Sequence, residues 1–184
     1  MDPSQVVRDE NGMMRCRECG FTYGRSREEV VELTGQGLEA VRTALAGVDS
    51  TSRHLRPDPL VWSVNAYVAH LADAAELING RVHQIAEQED PTLAWHDQDA
   101  AVEEGRQDAQ PADESQSRLE NTVARFLSYL TDLPPKAWKR SGVHSRAGAV
   151  RLAEVAQDMP HELQHHANDI QKVDRQVRSD VQYG

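Results

Sequence analysis

The segment Met159-Pro160-His161-Glu162-Leu163-Gln164-His165-His166-Ala167-Asn168-Asp169-Ile170 concentrates residues able to hold a metal ion. Three of the chain's eight histidines and two carboxylates fall there within a dozen residues, the density expected where a helix supplies ligands. On a helix advancing about 100° per residue, Leu163, His166, Ile170, Val173 and Val177 share one side, with Glu162 at its edge. His161 and His165 point to roughly the opposite face. Two i, i+4 pairs therefore compete as ligand pairs, Glu162/His166 and His161/His165, and the spacing aims only the first at a core. Pro160 can start or kink the helix and reset the phase before it. A polar helix face that merely contains histidines is the alternative reading.

A second group lies near the N-terminus, Cys16-Arg17-Glu18-Cys19-Gly20-Phe21. This is the form of a metal knuckle, in which glycine lets backbone amides approach the thiolates. One knuckle supplies two ligands, whereas a closed structural site needs four, and the chain has only these two cysteines. Any further ligands must be histidine or carboxylate from elsewhere. A second metal site, a redox-active dithiol and an inert reduced pair all remain open.

Four predicted helices must position these groups. The first runs from an N-cap at Ser26 to about Val48, with Gly35 and Gly37 interrupting its pattern. The second runs from Trp62-Ser63 to about Glu89 and places Tyr67, His70, Ala74, Leu77, Ile78 and Ile85 on one face. His70 thus sits within an apolar stripe, and a buried histidine needs partners for its ring nitrogens. Residues 90–113 form a long acidic connection containing Trp95-His96-Asp97, a candidate pocket lining. The third helix spans about Asp113 to Asp132, with Leu119, Val123, Phe126, Leu127 and Leu130 inward, and Pro134-Pro135 follow it. Trp138 to Gly148 reads as a basic loop able to bind a ligand carboxylate, or as an ordinary solvated one. The fourth helix is expected from about Ala149 to Val177. The fold class is accordingly all-α, a four-helix bundle with one long crossover and a short N-terminal Cys-x-x-Cys segment. Residues 1–25 form that segment, 26–178 the bundle and 179–184 a tail. His70 packed beside Glu162 and His166 would make a three-ligand site with open positions, the catalytic rather than structural arrangement.

Composition narrows the function classes. With 20 Lys and Arg against 30 Asp and Glu, a net charge of −10, general affinity for nucleic acid or an anionic membrane is not expected. No apolar run approaches the roughly 20 residues of a membrane span, and no basic-then-apolar signal opens the chain. The expected location is the cytoplasm.

The motifs as a set resemble the DinB-like four-helix-bundle metalloproteins: Trp62-Ser63-x3-Tyr67-Val68-x-His70-Leu71-x-Asp73, the Trp95-His96-Asp97-Gln98-Asp99-Ala100 loop, and Glu162-x3-His166-x2-Asp169-Ile170. The Cys16-x2-Cys19-Gly20-Phe21 opening with Arg56-Pro57-x-Pro59-x2-Trp62-Ser63 looks like an actinobacterial branch. The resemblance implies that His70, Glu162 and His166 hold a divalent metal, zinc first, with nickel or iron as alternatives. Glu162 departs from the family's commoner three-histidine pattern, and His161 and His165 compete for the ligand roles. The carboxylate-plus-histidine form is similar to mycothiol-dependent maleylpyruvate isomerases and thiol S-transferases. This implies a thiol transferase acting on a small electrophile, with a metal-dependent hydrolase or isomerase, or a non-catalytic metal-binding bundle, as alternatives. Its partners would be a low-molecular-weight thiol and a small-molecule substrate; a homodimer is admitted. In that scheme His165 or Tyr67 moves protons and Asp169 holds the ring of a ligand histidine.

Overall fold

Ser26 starts the first bundle helix by a reciprocal cap. Glu29 N–H donates to Ser26 Oγ (3.2 Å) while Ser26 N–H donates to the Glu29 carboxylate (2.8 Å), so two amides left over at the helix end are satisfied. In the computed structural model, which describes residues 6–8, 10, 13–97, 100–103 and 107–183, this helix is α1 (Arg27–Ala46). Before it lies a small antiparallel hairpin, β1 (Val6–Arg8) with β2 (Met14–Cys16). Ser63 caps α2 (Val64–Glu87) through the Ala66 amide (3.2 Å). The crossover contains β3 (Thr92–Leu93) and the one-turn α3 (Ala100–Glu103) and leads into α4 (Ala112–Asp132). Next come a 3-10 turn (Ala137–Lys139), β4 (Ser141–His144), β5 (Gly148–Arg151), α5 (Leu152–Ala156) and α6 (Asp158–Tyr183). No helix among the described residues is long and apolar enough to cross a membrane.

The four long helices form the bundle. Helix α6 packs on both α1 and α2, and α4 closes the other side against the same two. Their apolar stripes meet in one core: Leu38, Val41 and Leu45 of α1, Leu71, Ile78 and Ile85 of α2, Leu119, Phe126 and Leu130 of α4, and Leu163, Ile170 and Val173 of α6. Each stripe follows the 3.6-residue period read from the sequence.

Two expectations need correction. The last helix does not begin at Ala149: residues 149–151 are strand, because Gly148, at φ +77°, turns the chain back and β5 pairs antiparallel with β4. Nor is Trp138–Gly148 an irregular solvated loop. It holds the 3-10 turn and β4, which also pairs in parallel with β3, and Arg140 donates to the carbonyls of Ile85 (2.8 Å) and Gln88 at the end of α2. A cation there suits the negative end of a helix dipole.

The acidic crossover is latched rather than free. Asp108 accepts from Ser63 Oγ (2.5 Å) and from Arg56 (2.6 Å), and its carbonyl accepts from Asn65 (3.1 Å). Burial would raise the Asp108 carboxyl, but Arg56 and Ser63 hold it below its ordinary value. Its contribution is therefore present above the unfolded pKa of about 4 and lost as pH falls through the lower folded value. Asp108→Asn should cost about 1.5 kcal/mol at neutral pH, allowing for partial exposure, with the gap to wild type closing in acid. Urea titrations at neutral and acidic pH check this.

Gly37, an interruption in the sequence pattern, has a packing reason. A Cβ there would lie 2.8 Å from Leu163 Cβ, whereas one at Gly35 would meet open space. The absent side chain lets α1 approach the part of α6 that carries the histidines. Gly37→Ala should destabilise by about 1–3 kcal/mol through overpacking, and Gly35→Ala should stabilise by up to about 1 kcal/mol. Thermal melts of the two variants test the pair, and equal shifts would contradict this account.

Candidate metal centre

Helix α6 carries its candidate ligand residues in two interleaved pairs, each four apart and one residue out of register. Glu162 and His166 face α2. There His70 Nε2 lies 3.6 Å from Glu162 Oε2, and His166 Nε2 lies 3.3 Å from the same oxygen. One ligand atom from each residue lies within 4.8 Å of the others. Ligands about 2.0–2.2 Å from a tetrahedral zinc stand roughly 3.3–3.5 Å apart, so the spacing fits a single ion. His166 Nδ1 pairs with Asp169 Oδ2 at 2.9 Å. That bond selects the tautomer with Nε2 free to ligate.

Burial would raise the Glu162 carboxyl, but His161, His166 and His70 together hold it well below its ordinary value. Burial likewise opposes charge on His166, yet Asp169 and Glu162 raise its pKa. Three buried basic donors around one carboxylate make a site that keeps its anionic ligand ionised. Aromatic rings wall it: Trp62 lies 5.2 Å from His70 and 6.4 Å from His166, and Tyr67 lies 5.4 Å from His166, centroid to centroid. Burial, with the charges of Asp169 and Glu18, pushes the Tyr67 phenol up to about 12. Tyr67 therefore stays protonated at neutral pH.

His161 and His165 do not face solvent, contrary to their phase on the helix. They are 2% and 7% exposed, because the Cys16–Phe21 knuckle packs over them. Cys16 Sγ is 3.6 Å from His165 Nδ1, and Cys16, Cys19, His161 and His165 bring one ligand atom each to within 4.8 Å of one another. Gln157 anchors the cover by accepting from the amides of Gly24 (2.7 Å) and Arg25 (2.8 Å), and Gln164 donates to Cys19 O (3.0 Å). The rings of Phe21 and Tyr23 lie 5.6 and 5.7 Å from that of His161. Burial would raise the Cys19 thiol, but His161, His165 and the Phe21 amide bring it down to about 6. Burial would lower His161, but Cys19, Glu162 and Cys16 push it up to about 11. His165 rises to about 9, chiefly through Cys19.

Of the residues singled out from sequence, His70, Glu162, His166, Tyr67 and Asp169 thus meet at one place, and His161, His165, Cys16 and Cys19 at another. Trp95 packs elsewhere: Arg146 stacks 3.4 Å over its ring and Ser145 Oγ accepts from its amide. Gln98 and Asp99 of that loop lie outside the described residues. Gln157 and Gln164 escaped sequence reasoning because an anchoring glutamine has no signature apart from its partner.

The arrangement of helices has counterparts. The sequence profile of the DinB superfamily matches residues 34–170. The chain belongs to the DinB superfamily. YfiT from Bacillus subtilis, described as a probable metal-dependent hydrolase with an unusual four-helix-bundle topology, superposes with a TM-score of 0.73 at 18% identity, covering 82% of this chain and 87% of its own. The mycothiol-dependent maleylpyruvate isomerase superposes at 0.65 with 20% identity over 79% of this chain. Only 61% of the isomerase is spanned. A histidine-to-alanine mutant of the same isomerase gives 0.66 at 18% identity. Comparison with curated proteins gives no match. At such identities these likenesses establish the DinB-type bundle alone.

Asp169→Asn should weaken divalent-metal binding at the His70/Glu162/His166 group by about 10–100-fold while leaving the helical circular dichroism unchanged. Competition against a chromophoric chelator measures this; unaltered affinity would remove Asp169 from the centre.

Proposed function

We propose that this DinB-superfamily chain is a divalent-metal-dependent thiol transferase, in which His70, Glu162 and His166 hold the metal and a low-molecular-weight thiol of the mycothiol type is activated for attack on a small electrophile. The observation that carries this is the three-ligand His2Glu set, which leaves part of a divalent ion's coordination shell to an exogenous ligand. A zinc ion so held would supply a Lewis acid that lowers the pKa of a thiol bound to it. The fold likeness to a mycothiol-dependent enzyme supports the choice of thiol.

The chain's own residues divide the remaining work. Glu162, with three histidines around it, stays ionised and offsets part of the ion's charge. Asp169 fixes the His166 ring so that Nε2 faces inward. Trp62 and Tyr67 form an aromatic wall against which an apolar electrophile can lie. The transfer forms a sulfur–carbon bond. The thiol proton leaves to solvent; on addition to an unsaturated acceptor the neighbouring carbon takes a proton from Tyr67, which is reprotonated from solvent, and on substitution the leaving group departs with the bonding pair. His165 lies against Cys16, which supports assigning the proton transfer of this scheme to Tyr67.

Zinc-loaded, reduced protein should bind mycothiol in calorimetry and accelerate its consumption by an electrophilic bimane. His166→Ala should lose one metal equivalent and the acceleration. Tyr67→Phe should keep the metal and the thiol affinity but lose about 10²-fold or more in turnover of an unsaturated acceptor. A loaded enzyme that ignores the thiol yet cleaves nitrophenyl esters would instead make it a hydrolase, the activity ascribed to YfiT.

A further inference from the structure

We propose that Cys16, Cys19, His161 and His165 form a second, closed zinc site of the Cys2His2 type, separate from the His70/Glu162/His166 centre, that clamps the N-terminal knuckle onto α6. The four donors come from two elements about 140 residues apart in sequence, so their meeting is a property of the fold.

Geometry supports one tetrahedral ion. Thiolate and imidazole ligands at about 2.3 and 2.05 Å stand roughly 3.6 Å apart at the tetrahedral angle, and Cys16 Sγ lies 3.6 Å from His165 Nδ1. The knuckle has the backbone that thiolate ligation requires. Gly20 adopts φ +76°, its amide donates to Cys16 O (3.1 Å), and the Phe21 amide donates to Cys19 Sγ (3.5 Å). Beyond the ligands, His165 Nε2 lies 3.3 Å from Glu18 Oε2 and 3.6 Å from Asp169 Oδ2. A carboxylate behind the distal nitrogen leaves Nδ1 for the ion and orients the ring.

His161 supplies an independent observation. It is 2% exposed, and neither ring nitrogen makes a hydrogen bond of good geometry among the described residues, although Cys16, Cys19 and Glu162 lie around the ring. A buried imidazole left this way is costly. Its Nδ1 is 3.5 Å from Glu162 Oε1, so Nε2 remains for the ion, and ligation would satisfy the atom that the protein does not. Two thiolates and two neutral imidazoles neutralise Zn²⁺, with the thiol protons released to solvent. A groove lined by Glu18, Cys19, His165, Asp169, Lys172 and Arg175 reaches Cys19 from the surface and gives the ion a route in.

Four protein ligands leave no open position, so the role is structural. The clamp ties residues 13–25 to α6 and fixes the rotation of the helix that aims Glu162 and His166 at His70. Asp169 stands behind a histidine of each site, which joins the two physically.

The test is the metal content and cobalt spectrum of full-length protein purified under reducing conditions. Wild type should carry two equivalents and, with cobalt, show a thiolate-to-metal charge-transfer band with tetrahedral d–d bands. Cys16→Ser/Cys19→Ser should lose one equivalent and the band; His166→Ala should lose the other equivalent and keep it. Should the double variant fail to fold, zinc-edge X-ray absorption of wild type decides: sulfur scatterers at about 2.3 Å are required. One equivalent with sulfur ligation would uphold this site and defeat the bundle-centre reading. Metal bound without sulfur ligation, or Cys16 and Cys19 recovered as a disulfide in metal-loaded protein, would overturn the proposal.

Discussion

The ionisation of Glu162 within the core depends on the three histidines around it, and much of the surrounding structure serves to keep them there. A buried carboxylate is stable only where its charge is matched and its oxygens are occupied. Here Oε2 lies near His70 and His166 while Oε1 lies 3.5 Å from His161. His70 comes from α2, so the carboxylate bridges two helices and fixes their relative height. Gly37 allows α1 to press against the same stretch of α6 through Leu163. The site's geometry is therefore set by helix packing and inherits the rigidity of the core.

Helix α6 buries polar residues able to hold a metal ion on two of its faces. An amphipathic helix ordinarily buries one stripe and exposes the rest. Here the bundle covers Glu162 and His166, and the knuckle, held by Gln157, Gln164 and the rings of Phe21 and Tyr23, covers His161 and His165. The same cover lowers the Cys19 thiol and raises both histidines. Two chemically distinct donor sets, His2Glu and Cys2His2, thus lie back to back on one helix, with Asp169 touching a histidine of each.

The bundle itself was largely legible in sequence. The cap at Ser26, the start at Trp62-Ser63, the apolar period through Leu119, Val123, Phe126 and Leu130, and the prolines after α4 are local signals, and the helices observed follow them. The hairpin of β4 and β5 was not legible. Its strands are only four residues long, and what holds them is a glycine turn and pairing with β3, which lies some fifty residues earlier. The latch through Asp108 was equally hidden, because an acidic connection reads as solvated until Arg56 and Ser63 are seen beside it.

The sequence by itself determined the four long helices of the bundle, their apolar faces, the placement of His70 in a buried stripe and the four-residue spacing of both residue pairs on α6, because each follows from helical periodicity. It also limited where ligands additional to Cys16 and Cys19 could come from, because no other cysteines exist. Only the tertiary structure decided which groups meet. Periodicity assigns a residue to a face of its own helix but carries no information about what covers that face. His161 and His165, outward by phase, are inside because a segment some 140 residues away lies over them, and that contact turns a pair of cysteines and a pair of histidines into one constellation.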